Sequence, residues 1–177
     1  MSYPEIVADV CALLQRPAGA GSNVVPLRGC ALGIDSTGVG RAVTDLFRAA
    51  RPAAKLYPIT ITAGVKSSYD SGEWHVCKKD LVAVTTVALE TDRLGWDRRL
   101  PFDELLAKEL SGFQSRLTPA ANEQFGTWRE GEHDDLVLAV AIALWLAERG
   151  ESGRVTRPIA VRGMGSVMPQ PGEFDRW

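Results

Sequence analysis

The segment Asp134–Arg149 constrains the fold more than any other part of this chain. Leu136, Val137, Val140, Ile142, Ala143, Leu144 and Leu146 leave a helix there apolar on nearly every side. A helix without a polar face is buried in a protein core or spans a membrane. This one is too short to span, since a crossing needs about 20 residues. The expectation is therefore a layered domain in which this helix lies deep against a sheet.

The remaining segments supply the sheet and its cover. Ile6, Val7, Val10, Leu13 and Leu14 recur at helical intervals, predicting a helix over Pro4–Gln15 that Pro17 and the following Gly/Ser-rich stretch end. Cys30–Ile34 is a short apolar run between polar and glycine residues, as expected of a strand buried on both faces and central in its sheet. Asp35–Gly40 is a glycine-rich turn, and Arg41–Ala50 has helical spacing, giving a strand, turn, helix unit. A second strand is expected at Lys55–Thr62, parallel and adjacent to the first. Gly64–Val76 reads as a hairpin or loop, and further helices are expected over Lys79–Thr91 and Phe102–Leu117. The organisation is thus one α/β domain over residues 1–150, followed by an irregular tail over 151–177.

Twenty basic residues against 22 acidic ones give a net charge of −2, so any contact with nucleic acid must use a local patch. Cys11, Cys30 and Cys77 are odd in number and lack CxxC spacing, which argues against a disulfide framework or a zinc site. With an acid near the N-terminus and no membrane-length apolar run, a cytoplasmic setting without membrane contact is expected.

Two acidic groupings carry candidate chemistry. Asp35 stands at the carboxyl end of the first strand, the edge where α/β sheets collect ligands. Ser36 and Thr37 follow as accessory candidates, although Asp35 and Ser36 can equally cap the next helix. The second grouping is His133-Asp-Asp135, at the start of the apolar helix. Capping explains one aspartate there but hardly both. The first caps more naturally, which leaves Asp135 as the preferred ligand, Asp134 as its alternate and His133 as an accessory. Hard carboxylate oxygens suit magnesium.

Taken in order, Ile34-Asp-Ser-Thr-Gly-Val-Gly40 with Val43 and Leu46, Tyr57-Pro-Ile-Thr-Ile-Thr62, Val76-Cys-Lys-Lys-Asp-Leu-Val82 and Gly131-Glu-His-Asp-Asp-Leu-Val-Leu-Ala139 resemble the nuclease domain of phage-type terminase large subunits. The resemblance covers roughly residues 4–149. It implies a ribonuclease-H-like, RuvC-type mixed sheet flanked by helices, and metal-dependent endonucleolytic cleavage of double-stranded DNA during phage packaging. It further implies that Asp35, Asp135 and Asp134 are the catalytic and metal-binding residues, that two Mg2+ or Mn2+ ions serve as cofactor in phosphodiester hydrolysis, and that other terminase or portal components are partners in a phage or prophage setting. The family's first acidic residue lies on opening strands whose following place is taken here by Pro4–Gln15, so the resemblance implies a domain shortened at its N-terminus. No G-x-x-x-x-G-K-[ST] occurs, which leaves the packaging ATPase unaccounted for in this segment.

DNA would meet Lys66, Lys78, Lys79, Arg98, Arg99 and Arg129, with the tryptophans Trp74, Trp96 and Trp128 near them. Two other readings compete. One is a remnant that binds DNA or a partner without cutting. The other is a nucleotide-binding fragment, since Ala31-Leu-Gly-Ile-Asp-Ser-Thr-Gly38 also resembles the first phosphate motif of actin-like ATPases and sugar kinases.

Overall fold

A computed structural model describes residues 1–16, 27–114 and 134–150. The elements are α1 (Tyr3–Leu14), β1 (Ala31–Asp35), α2 (Gly40–Ala50), β2 (Lys55–Thr62), β3 (Ser68–Asp70), β4 (Glu73–Cys77), α3 (Lys78–Glu90), α4 (Asp103–Gln114) and α5 (Asp135–Glu148). They form a mixed α/β fold with an open four-stranded sheet of order β1-β2-β4-β3, flanked by helices. β1, β2 and β4 run parallel, and β3 pairs with β4 in the opposite sense. The adjacent parallel pair expected from the sequence is present, with Ala31 opposite Lys55 and Asp35 opposite Ile59. The ambiguous Gly64–Val76 segment supplies a hairpin. Its two-residue turn, Ser71-Gly72, takes positive φ at both positions, which matches the right-handed twist of paired strands.

Alternation along the strands divides the interior between the two sheet faces. Tyr57 and Ile59 of β2 and Val76 of β4 face α3, α4 and α5, where they meet Leu81, Leu110, Phe113, Val137, Ile142 and Trp145. Ile34 of β1 joins Val7 of α1 and Phe47 of α2, with Leu32 and Leu56 beside them. Gly33 is what brings α5 down onto β1, because a side chain there would collide with Ile142 and Leu146.

Two expectations are corrected here. Among the described residues β1 is the terminal strand of the sheet and not a central one. Its apolar character reflects cover on both faces by helices, which a run of apolar residues cannot distinguish from cover plus neighbours. α5 is deeply buried through Val137, Ala141, Ile142, Trp145 and Leu146, but Asp135, Ala139, Ala143 and Ala147, spaced by four, form an exposed stripe. Alanine is neutral enough to sit in water, so an apolar reading overstates the burial of that side. No helix among the described residues is long and apolar enough to cross a membrane. The expected tail at 151–177 lies outside the described residues.

Candidate functional site

Parallel strands deliver their carboxyl ends to one sheet edge, and at that edge Asp35 leaves β1. The backbone N–H of Thr37 donates to Asp35 Oδ1 at 2.8 Å, closing a short side-chain turn that fixes the carboxylate's direction. Thr37 Oγ1 accepts the N–H of Ile61 at 2.9 Å, and the Ser36 N–H donates to the Ile59 carbonyl at 2.7 Å. The loop after β1 is therefore stitched to β2 at the two residues that follow Asp35. Gly38, at φ 58°, makes the turn that a side-chain-bearing residue would strain. Gly40 then starts α2 directly against the Asp35 carbonyl, where a β-carbon would overlap the oxygen.

The second carboxylate comes from the start of α5. Asp134 occupies the capping position, yet its side chain makes no capping hydrogen bond. That work is done from a different helix: the Val137 N–H in the first turn of α5 donates to Oε2 of Glu109 on α4 at 2.9 Å, in a buried setting. Glu109 thereby satisfies one of the orphan donors of α5.

Asp35 and Asp134 border the same cleft, of about 430 Å³, together with Thr37, Ile61, Thr62, Ala63, Gly64, Val65, Lys78, Lys79 and Leu138. Two acids and two lysines from the first turn of α3 give its lining both signs of charge. The wall formed by Ala63–Val65 is fastened at its far end by Ser67. Its hydroxyl donates to Asp80 Oδ2 at 2.6 Å and accepts the Cys77 N–H at 3.0 Å, so the loop is tied to the start of α3.

Of the residues singled out in the sequence, Asp35, Thr37, Asp134, Lys78 and Lys79 are brought together. Asp135 is not: it is exposed at the first position of α5 and borders no part of the cleft. The geometry thus puts Asp134 at the cleft where the sequence favoured Asp135, and Glu109 accepts the Val137 N–H that a capping side chain ordinarily takes. Ser36 is also misassigned as an accessory, since it is buried at 2% exposure and its hydroxyl pairs with Thr44 Oγ1 at 2.7 Å beneath α2. Thr44 in turn donates to the Gly40 carbonyl at 3.1 Å, so this pair anchors the helix behind the site.

Lys66 is exposed beside Val65 but does not border the cleft. Arg98 and Arg99 lie on the turn before α4, away from it. Arg99 donates to both carboxylate oxygens of Asp97 and holds that carboxyl down from 3.8 to about 2, while Arg98 stands 3.7 Å from Asp103. Trp74 is engaged in packing, edge-on to Trp145 at 5.2 Å with the Arg149 guanidinium over both rings. Trp96 donates to Asp103. His133, Arg129 and Trp128 fall outside the described residues.

Sequence reasoning missed Glu109 and the Ser67–Asp80 contact. Glu109 does leave a trace, because it interrupts the face formed by Leu106, Leu110 and Phe113 of α4, and a lone acid at core spacing signals a buried acceptor. Among the described residues no three His, Cys, Asp or Glu side chains group closely enough to hold a metal ion. No protein-family model, curated protein or solved structure matches the chain.

Proposed function

We propose that this chain is a terminase-type nuclease domain of ribonuclease-H-like architecture, whose cleft takes the phosphodiester backbone of DNA with a divalent cation. One observation carries the reading: Asp35 and Asp134, about a hundred residues apart, border one cleft with Lys78 and Lys79. Both acids belong to the motifs that resemble that family, and strand-end and helix-start carboxylates on one sheet edge are what its chemistry requires.

Two carboxylates on one cleft would suit a single magnesium or manganese ion. Magnesium takes one or two protein carboxylates and fills its remaining positions with water and substrate phosphate. The two-metal arrangement implied by the family needs a further acid, which the described residues do not bring to Asp35 and Asp134. When bound, such an ion polarises the phosphodiester and acidifies water for in-line hydrolysis. The protein's own part is to hold the Asp35 carboxylate rigid through Thr37, to present Asp134 from α5, and to neutralise flanking phosphates with Lys78 and Lys79.

The same shortage of a third acid favours a second reading, in which the domain binds DNA and does not cut it. Binding is common to both and is tested first. A fluorescein-labelled DNA duplex, titrated at rising salt without divalent cations, should lose affinity steeply. Each neutralised phosphate adds about 0.9 to the slope of log affinity against log salt, so Lys78→Ala with Lys79→Ala should reduce that slope by roughly 1.8. Binding that ignores salt, or an unchanged slope in the double variant, removes the cleft as the DNA site.

A further inference from the structure

We propose that Glu109 is a positioning residue that takes over the capping of α5 and thereby keeps the Asp134 carboxylate directed to the cleft. The role in cation binding rests on the reading of the cleft given above, while the capping exchange itself does not.

The first N–H groups of α5 have no partner within the helix, and an aspartate in the capping position ordinarily accepts one of them. Asp134 holds that position and makes no such bond. The Val137 N–H, three residues on and thus the usual target of the capping side chain, is instead held by Glu109 at 2.9 Å. Glu109 reaches it from α4, which is fixed against α5 through Leu110 and Phe113 in the shared core. Burying a carboxylate is costly unless its oxygens are bonded, and a charged acceptor on a helix N-terminus is well compensated. The two acids therefore divide the tasks. Glu109 satisfies the helix, and Asp134 lines the cleft with Asp35.

Removing Glu109 reverses the division. In Glu109→Ala the Val137 N–H is left buried and unpaired, and Asp134, in the capping position, is the residue placed to accept it. Turning inward to do so withdraws Asp134 from the cleft. Glu109→Gln keeps a carbonyl oxygen at the same reach and preserves the arrangement. Glu109→Asp is shorter by a methylene and behaves as the alanine variant, with less disturbance of the core.

The test is a double-mutant cycle in thermal unfolding of the metal-free protein, joined to manganese titration. In the native background Asp134→Ala removes no helix cap, and its effect on the melting temperature there sets the baseline. In the Glu109→Ala or Glu109→Asp background the same substitution should lower the melting temperature by roughly 3 °C more than that baseline, the size of a lost helix cap in a domain this large. Manganese affinity should fall by about tenfold or more in Glu109→Ala and be restored in Glu109→Gln. An equal effect of Asp134→Ala in every background overturns the exchange. So does manganese affinity in Glu109→Ala that matches the native value while Asp134→Ala loses it. Should the unfolding cycle hold and the native protein bind no manganese, the exchange stands and the cation-site reading of the cleft falls.

Discussion

Supercoiled plasmid incubated with this protein and millimolar manganese will be nicked slowly, without sequence preference, and Asp35→Ala and Asp134→Ala will each abolish the nicking. Slowness follows from the donor set. One ion held by two carboxylates can polarise a phosphodiester, but without a third acid nothing on the described residues fixes a second ion at the leaving oxygen. Manganese is favoured over magnesium in the assay because it tolerates departures from ideal octahedral coordination better. Loss of a partner that merely orients a metal ligand already costs about 10–100-fold, so loss of either ligand should cost roughly a hundredfold or more. Asp135→Ala is the decisive companion. Exposed at the first turn of α5 and outside the cleft, it should stay within about twofold of the native rate, as surface substitutions do. Nicking that survives Asp35→Ala and Asp134→Ala does not come from this cleft, and an inactive native protein leaves the non-cutting reading.

Gly40→Ala will destabilise the protein by about 1–3 kcal/mol and remove the nicking with it. The sign is the informative part. Near the start or in the middle of a helix, alanine normally gains roughly 0.5–1 kcal/mol over glycine by restricting the unfolded chain. At Gly40 that gain is outweighed, because the added carbon would overlap the backbone carbonyl of Asp35, and backbone cannot rotate aside. Either α2 backs away, loosening Thr44 from Ser36, or the Asp35 turn shifts and carries its carboxylate with it. Gly112 in α4 is the control: a β-carbon there meets nothing within 4 Å, so Gly112→Ala should be neutral or slightly stabilising. Urea unfolding of the two variants separates the cases. A Gly40→Ala protein as stable as the native one would mean that α2 does not press on the site as described.

What the sequence made legible follows the range of the forces involved. β1, β2 and their parallel pairing are written in local apolar runs, and the position of Asp35 follows from strand direction alone. The hairpin β3–β4 was ambiguous because Ser71-Gly72 is a weaker turn signal than Asn-Gly, and β3 has only three residues, all exposed. The choice between Asp134 and Asp135 could not be made locally. It turns on Glu109, which lies 28 residues before its partner Val137 and meets α5 only after both helices pack on the sheet. Ser36 was misread for a similar reason. Its neighbours Asp35 and Thr37 face the cleft, but its own partner, Thr44, sits one helix away on the inner side. Side-chain direction around a tight turn depends on the tertiary contact that wins.

In the proposed site Asp35 and Asp134, and not Asp135, share one cation. Isothermal titration of manganese into the native protein and into Asp35→Asn, Asp134→Asn and Asp135→Asn tests this. A single ion should bind to the native protein and to Asp135→Asn, with binding lost in the other two. Retained binding in Asp134→Asn together with loss in Asp135→Asn would contradict it.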